Sequence, residues 1–208
     1  VVANGVAVVL SIYILHRREH LIRARYLLPA GIWASWRPVL HVAMPATAAN
    51  LLNPLTVGVI TSFVAGFGPE AVAGFGVASR VESLVMIVIF AVSSSVTPFV
   101  GQNYGAGRFD RVERMTRLSG NFCIVYGLAA AVVLWPAGEP LAALFNDATD
   151  VVGTAAAYLS IVPMTLGGFG VMLVAAAAFN ALGMPLPAMA LTFAKLFVAY
   201  IPLAWLLS

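Results

Sequence analysis

The stretch "VTPFVGQNYGAGRFDRVERMTR", residues 96–117, marks an abrupt change in the character of the chain. A long apolar run precedes it; glycines stand at 101, 105 and 107, and arginines at 108, 111, 114 and 117. Glycine allows a helix to end sharply, and arginines just beyond an apolar run are typical of the cytoplasmic end of a membrane-crossing helix. The stretch therefore predicts that a helix leaves the membrane here.

Two other readings of this stretch do not fit its residues. It lacks the lysine of a G-x-x-x-x-G-K-[ST] phosphate loop, and "GQNYGAG" lacks the spacing of a dinucleotide-binding turn. Arginines repeated every three residues could suggest a nucleic-acid patch, but Asp110 and Glu113 interrupt them. Next to a membrane exit, anionic lipid headgroups are the expected contact. We expect membrane lipids, and no nucleic acid, among the partners.

The composition places most of the chain in lipid. Of the 208 residues, 62% are hydrophobic and only 9% are charged, whereas soluble domains carry about a quarter charged residues. The single cysteine, Cys123, excludes an intrachain disulfide, and the three histidines stand in no metal-binding pattern. We therefore predict an integral membrane protein without a metal site or a cofactor, and not an enzyme.

Apolar runs divide the chain into membrane spans, each of which needs about 20 apolar residues. The predicted fold is an all-α membrane protein, a polytopic bundle of transmembrane helices. The first and last runs lack natural-looking ends, so we expect the chain to be part of a longer protein. The runs are 1–15, 38–65, 72–103, 118–136, 151–180 and 186–208.

The distribution of charge predicts the orientation of these spans. Nine of the eleven lysine and arginine residues lie in 16–37 and 104–117. The breaks at 66–70 and 137–150 contain acidic residues and no lysine or arginine. Basic breaks alternate with acidic ones, as the spans require, and the positive-inside rule puts the basic breaks in the cytoplasm. We expect a multi-pass protein of a bacterial inner (plasma) membrane.

Polar residues inside the spans are costly in lipid and are candidates for function. Asn50 and Asn53 share a polar stripe with Thr61, which either faces a cavity or bonds a neighbouring helix. Glu82 shares a stripe with Ser93; its carboxylate could exchange protons or coordinate sodium, and the alternative is an interfacial ion pair. The candidates for ion or substrate binding are Glu82, Arg80, Asn50, Asn53, Ser93 and Lys195.

The two charged residues of the third run do not predict a pair with each other. Arg80 and Glu82 are two positions apart, which is about 200° around a helix. Each must therefore find a different partner or a different aqueous surrounding. Lys195 lies well inside the last run and needs a carboxylate partner, a water-filled cavity or a path by which its ammonium reaches the interface.

Three segments resemble one family in order and spacing. "PFVGQNYGAGRFDRV" at 98–112 resembles the signature at the cytoplasmic end of the eighth helix of the multidrug and toxic compound extrusion (MATE) transporters. "GPEAVAGFGVASRVESL" at 68–84 resembles the start of that helix, and "AFNALGMPLPAM" at 178–189 resembles the junction of helices ten and eleven. The resemblance covers nearly the whole chain.

The resemblance implies one lobe of a twelve-helix, pseudo-twofold antiporter that exports drugs or cationic and amphiphilic compounds in exchange for protons or sodium ions. In that register, 1–15 ends helix six, 16–37 links the lobes, and 38–208 is the C-terminal lobe. The N-terminal lobe of the same protein is the implied partner. Some members use acids on helices seven and ten, but the spans 38–65 and 151–180 contain no Asp or Glu. Glu82, within the span 72–103, is the candidate substitute, and a site in the N-terminal lobe is the alternative.

The residues of the exit motif have expected roles in structure or gating, not in substrate contact. The glycines would end the helix and let a neighbouring backbone approach. The amides would cap exposed carbonyls, and the arginines would anchor the exit to headgroups. These residues are Gly101, Gln102, Asn103, Gly105, Gly107, Arg108, Arg111 and Arg114.

Two other functions remain open at this point. A lipid-linked glycan flippase of similar architecture would hold a more cationic cavity than Arg80 and Lys195 provide. A non-transporting membrane scaffold would make no use of Glu82.

Overall fold

The computed structural model describes residues 2–17, 32–195 and 197, and within these ranges the chain is helical and contains no strand. Most of the predicted linker at 16–37 and the end of the predicted last span lie outside the described residues. A 3₁₀ segment, Val162–Thr165, joins α5 to α6. The α-helices are α1 Val2–Arg17, α2 Ile32–Ala65, α3 Pro69–Gly105, α4 Phe109–Ala143, α5 Thr149–Ile161, α6 Leu166–Ala181 and α7 Pro185–Ala194.

Four helical segments of the described chain are long and apolar enough to cross a membrane. They are Trp36–Ala65, Pro69–Gly105, Phe109–Ala143 and Thr149–Ala181, with 30, 37, 35 and 33 residues. Each exceeds the roughly 20 residues that the hydrocarbon core requires. The predicted all-α membrane bundle is confirmed. The helix α4 continues through Pro136 and Pro140 to Ala143, so the first part of the predicted break at 137–150 is helical.

The chain divides into two compact units, Val1–His41 and Val42–Ser208. The first contains α1 and the beginning of α2. The second contains the bundle of α3, α4, α5 and α6, in which α3 packs against α4 and both pack against α5 and α6. Short turns join these helices, so successive membrane-length helices run in opposite directions.

Two apolar clusters hold the second unit together. One joins α3, α4 and α5 through Val77, Val81, Leu134, Val151 and Leu159. The other joins α3, α4 and α6. Its largest fully buried members are Ile89, Val96, Val100, Cys123, Leu166 and Val174. Both clusters use α3 and α4, so these two helices connect the two halves of the core.

Glycines bring α4 and α6 into backbone contact. A Cβ on Gly127 would overlap the backbone nitrogen of Gly167, and a Cβ on Gly170 would lie 2.7 Å from the Cβ of Cys123. Lipid offers no hydrophobic drive between helices, so small residues that permit close van der Waals packing stabilise such contacts. The α4–α6 contact therefore depends on glycine at these positions.

The exit motif forms the turn between α3 and α4. Gly105 is the last residue of α3, and Gly107 has a φ of +70°, which favours glycine. The side chain of Asn103 donates to the carbonyl of Phe99 at 2.9 Å, and the amide of Arg108 donates to the carbonyl of Asn103 at 2.8 Å.

The glycines of this turn differ from expectation in one respect. Gly101 lies inside α3, and a Cβ on Gly101, Gly105 or Gly107 would meet no described atom within 4 Å. The expected close backbone approach is therefore not found here in the described part of the chain; it occurs between α4 and α6 instead. Arg108 and Arg111 are exposed at the start of α4, and Gln102 accepts the amide of Ala106 through its backbone carbonyl.

Candidate functional site

A cavity of about 470 Å³ lies within the second unit, among α2, α3, α5 and α6. Its wall is mostly apolar and aromatic, with a small set of polar groups, as is typical of small-molecule sites. The polar groups come from Thr56, Ser79, Glu82, Ser83, Tyr158, Thr165 and Lys195, and the aromatic rings from Phe75, Phe90, Tyr158 and Phe169.

Glu82 is held at the wall of this cavity by a tyrosine of α5. The hydroxyl of Tyr158 donates to the Oε2 atom of Glu82 at 2.7 Å. The ring of Phe75 packs edge-on against Tyr158, with centroids 5.6 Å apart. The carboxylate is thus oriented by one side chain that is itself fixed by ring packing.

Lys195 lines the same cavity. Its Nζ atom sits 4.2 Å from the centroid of the Phe169 ring, a cation–π contact. The sequence required a carboxylate partner or a cavity for Lys195, and the fold supplies a cavity that contains the carboxylate of Glu82.

A second cavity of about 420 Å³ adjoins the first and contains two further candidates, Asn50 and Ser93. Phe90 and Phe169 line both cavities, so the two rings form the boundary between them. The hydroxyl of Ser93 donates to the carbonyl of Leu173 at 3.2 Å, which ties α3 to α6. Asn180 also lines this cavity, and among the described residues its buried Oδ1 atom lacks a hydrogen-bond partner.

The structure separates the candidate Arg80 from these cavities. Arg80 is exposed and lines neither cavity, as expected from its angular separation from Glu82. The side chain of Asn53 lies outside the described residues. From the predicted polar stripe of 38–65, Thr61 bonds the carbonyl of Val57 in its own helix; the threonine at the first cavity is Thr56, which bonds Leu52.

Sequence reasoning missed Tyr158, the direct partner of Glu82. Tyrosine inside an apolar run is not costly enough to stand out as a charged residue does, because its ring is apolar and only its hydroxyl needs a partner. The sequence did contain one signal near Tyr158: Pro163, five positions later, indicates a break in the helix, and α5 ends just before it. Val162, Thr165 and Leu166 of the resulting 3₁₀ break and helix start line the cavity.

No metal site accompanies these groups: within 2–17, 32–195 and 197, no three His, Cys, Asp or Glu residues are grouped as metal ligands. Apolar, membrane-length helices together with a mostly apolar cavity that contains a few polar and charged side chains are the features of a multi-pass integral membrane protein.

Comparison with known proteins identifies the family. The MatE family model matches residues 45–206. A crystal structure of the MATE transporter VcmN of Vibrio cholerae matches with a TM-score of 0.89 at 28% identity, covering 98% of this chain and 46% of that one. The chain belongs to the MatE family, and the resemblance found in its motifs is confirmed.

Two curated relatives extend this comparison. The FAD transporter of Shewanella oneidensis is 35% identical over 171 residues, which are 82% of this chain and 38% of that protein. The probable multidrug resistance protein NorM of Pseudomonas putida is 31% identical over 159 residues, 75% of this chain and 34% of that protein. The chain spans less than half the length of each relative. Bacterial relatives and membrane-length helices place it in a bacterial plasma membrane.

Proposed function

We propose that the chain is the C-terminal lobe of a secondary active antiporter that exports drugs or cationic and amphiphilic compounds in exchange for protons or sodium ions. The family and the NorM relative support export of small molecules. The coverage of less than half of each relative supports a second lobe as partner. The two lobes would rock against each other around a central site, as in other transporters built from repeats.

Glu82 is the residue we propose for ion coupling. The observation that carries the proposal is its hydrogen bond from Tyr158 at the wall of the cavity. The hydroxyl stabilises the free carboxylate, and a proton or a sodium ion would compete with this bond and with the attraction of Lys195. An ion can shift a conformational equilibrium only if it binds one state better, and a carboxylate with two such partners provides that difference.

The composition of the cavity wall favours an amphiphilic compound as the substrate. Phe75, Phe90 and Phe169 present aromatic surface to the same space as Glu82. Aromatic faces attract both apolar groups and organic cations. A cationic amphiphile would bind while the carboxylate is free and leave when an ion occupies it, which is the exchange that antiport requires.

The test uses the full-length protein in liposomes with an imposed proton or sodium gradient and a fluorescent cationic amphiphile. We expect ion-driven efflux from the wild type and its loss in Glu82→Gln, because glutamine keeps the shape of glutamate and removes the charge. Glu70→Gln is the matched control: Glu70 is exposed in the first turn of α3 and outside the cavity. Wild-type efflux by Glu82→Gln would exclude the proposed role of Glu82.

A second candidate substrate is an anionic aromatic compound such as a flavin nucleotide. The 35% identical relative is named as an FAD transporter, and Lys195 on the ring of Phe169 offers a cation beside an aromatic surface. If the substrate is anionic, Lys195→Met abolishes transport of FAD by the full-length protein. If it is cationic, FAD does not compete with the fluorescent amphiphile and Lys195→Met leaves cation efflux measurable.

A further inference from the structure

A groove between α4 and α6 lies outside both cavities. It has a volume of about 500 Å³ and is lined by one stripe of each helix. The apolar part of the stripe on α4 includes Gly120 and Ile124, and that on α6 includes Val171, Ala175 and Phe179. The lining includes Gly120, Ala175 and Ala178, whose small side chains leave space between the two helices.

The dimensions of the α4–α6 groove suit an acyl chain of one leaflet. It extends along α4 from Val112 to Ile124, which is about 18 Å at 1.5 Å per residue. One leaflet contributes about 15 Å to the hydrocarbon core. The groove begins at the end of α4 that carries the arginines of the exit motif, the side on which phospholipid headgroups of the cytoplasmic leaflet are expected.

Two opposite charges stand at this end of the groove. Glu113 and Arg117 both line it and both are exposed. They are four positions apart, so they lie on one face of α4 about one turn from each other, with Arg117 nearer the membrane interior. In a phospholipid the phosphate is next to the glycerol and the acyl chains, and the terminal group of the head lies farther out.

We propose that the α4–α6 groove binds phosphatidylethanolamine. An acyl chain fills the groove, the phosphate binds Arg117, and the terminal ammonium donates to Glu113. Guanidinium and phosphate form strong charge-assisted hydrogen bonds, and a primary ammonium has three donors for a carboxylate. Phosphatidylcholine lacks those donors, and phosphatidylglycerol places no cation near Glu113. The charge pair therefore selects one headgroup.

Native mass spectrometry of the purified full-length protein tests this inference. The protein is equilibrated with equal amounts of the three phospholipids, with the same acyl chains, and retained lipid is counted. We expect phosphatidylethanolamine to be retained about two- to fivefold over the other two, the effect of one exposed ion pair. Glu113→Gln should equalise phosphatidylethanolamine and phosphatidylcholine. Arg117→Gln should lower retention of all three, as should Ala175→Phe, which fills the groove.

Arg111→Gln is the control. Arg111 is an exposed arginine at the same end of α4, and it does not line the groove. It should leave the preference unchanged. Equal retention of phosphatidylethanolamine and phosphatidylcholine by the wild type would overturn the inference. A preference for phosphatidylglycerol, or a preference for phosphatidylethanolamine that survives Glu113→Gln, would overturn it as well.

Discussion

At the scale of single residues, the hydrogen bond between Tyr158 and Glu82 is the feature on which the proposed coupling depends. A carboxylate in an apolar bundle is costly unless it is paired, and the tyrosine hydroxyl at 2.7 Å is a partner that bonds it directly. Lys195 adds an opposite charge to the lining of the same cavity. In the proposed mechanism an entering ion would replace these interactions, so the strength of the tyrosine bond would set how tightly the ion binds.

Replacement of Tyr158 by phenylalanine tests this relation. The change removes a bond to a charged acceptor, which contributes about 1.5 kcal/mol at the lower end of its usual range. We expect the ion concentration for half-maximal efflux to fall by about tenfold, because the ion no longer competes with this hydrogen bond. The aromatic packing against Phe75 is kept. Efflux by the full-length protein in liposomes, measured over a series of ion concentrations, reports this value.

The matched control is Tyr126→Phe. Tyr126 donates its hydroxyl to the carbonyl of Val85 at 3.0 Å and lines neither cavity. Its loss should lower stability by about 1 kcal/mol without a change in ion dependence. An equal effect of both variants on ion dependence would mean that Tyr158 acts through general stability and not through Glu82.

At the scale of the helices, the contact of α4 with α6 positions the 3₁₀ break and therefore one wall of the cavity. Gly127 and Gly167 bring the two backbones together, and Leu166, next to Gly167, is both buried in the core and part of the cavity lining. A change in the separation of these helices would move Leu166 and Phe169, which carries Lys195 on its ring.

Substitution of Gly127 by alanine should destabilise the bundle by about 1–3 kcal/mol, because the added methyl group overlaps the backbone of α6. Gly168→Ala is the control on the facing helix, where a Cβ meets nothing within 4 Å; it should be neutral or stabilising by up to about 1 kcal/mol. Thermal unfolding of the full-length protein in detergent compares the two. Equal midpoints would show that the close approach does not matter.

Some features of the fold and of the candidate site could be predicted from the sequence, and others could not. Glu82 and Lys195 stand out because charge in lipid needs an explanation, and both are found in one cavity. Tyr158 could not be paired with Glu82, since 76 positions separate them and the pairing depends on how α3 packs against α5. Likewise, the sequence shows many glycines but not which helices face each other, so close approach was expected in the exit turn and occurs at Gly127.

At the scale of the whole molecule, the chain corresponds to about half of a family member: it covers 46% of the solved chain of VcmN. We expect residues 1–208 alone to show no efflux in vesicles, because a central cavity that opens alternately to two sides needs a second, opposing lobe. Efflux by this chain alone would contradict the proposed two-lobe mechanism.

The central claim is that Glu82 binds the coupling ion in competition with substrate. The most direct test is the release of protons or sodium ions when substrate is added to the purified full-length protein in weakly buffered detergent solution. We predict release of one ion per protein molecule from the wild type and one fewer from Glu82→Gln, with Glu70→Gln equal to the wild type. The same ion release from Glu82→Gln as from the wild type would contradict the claim.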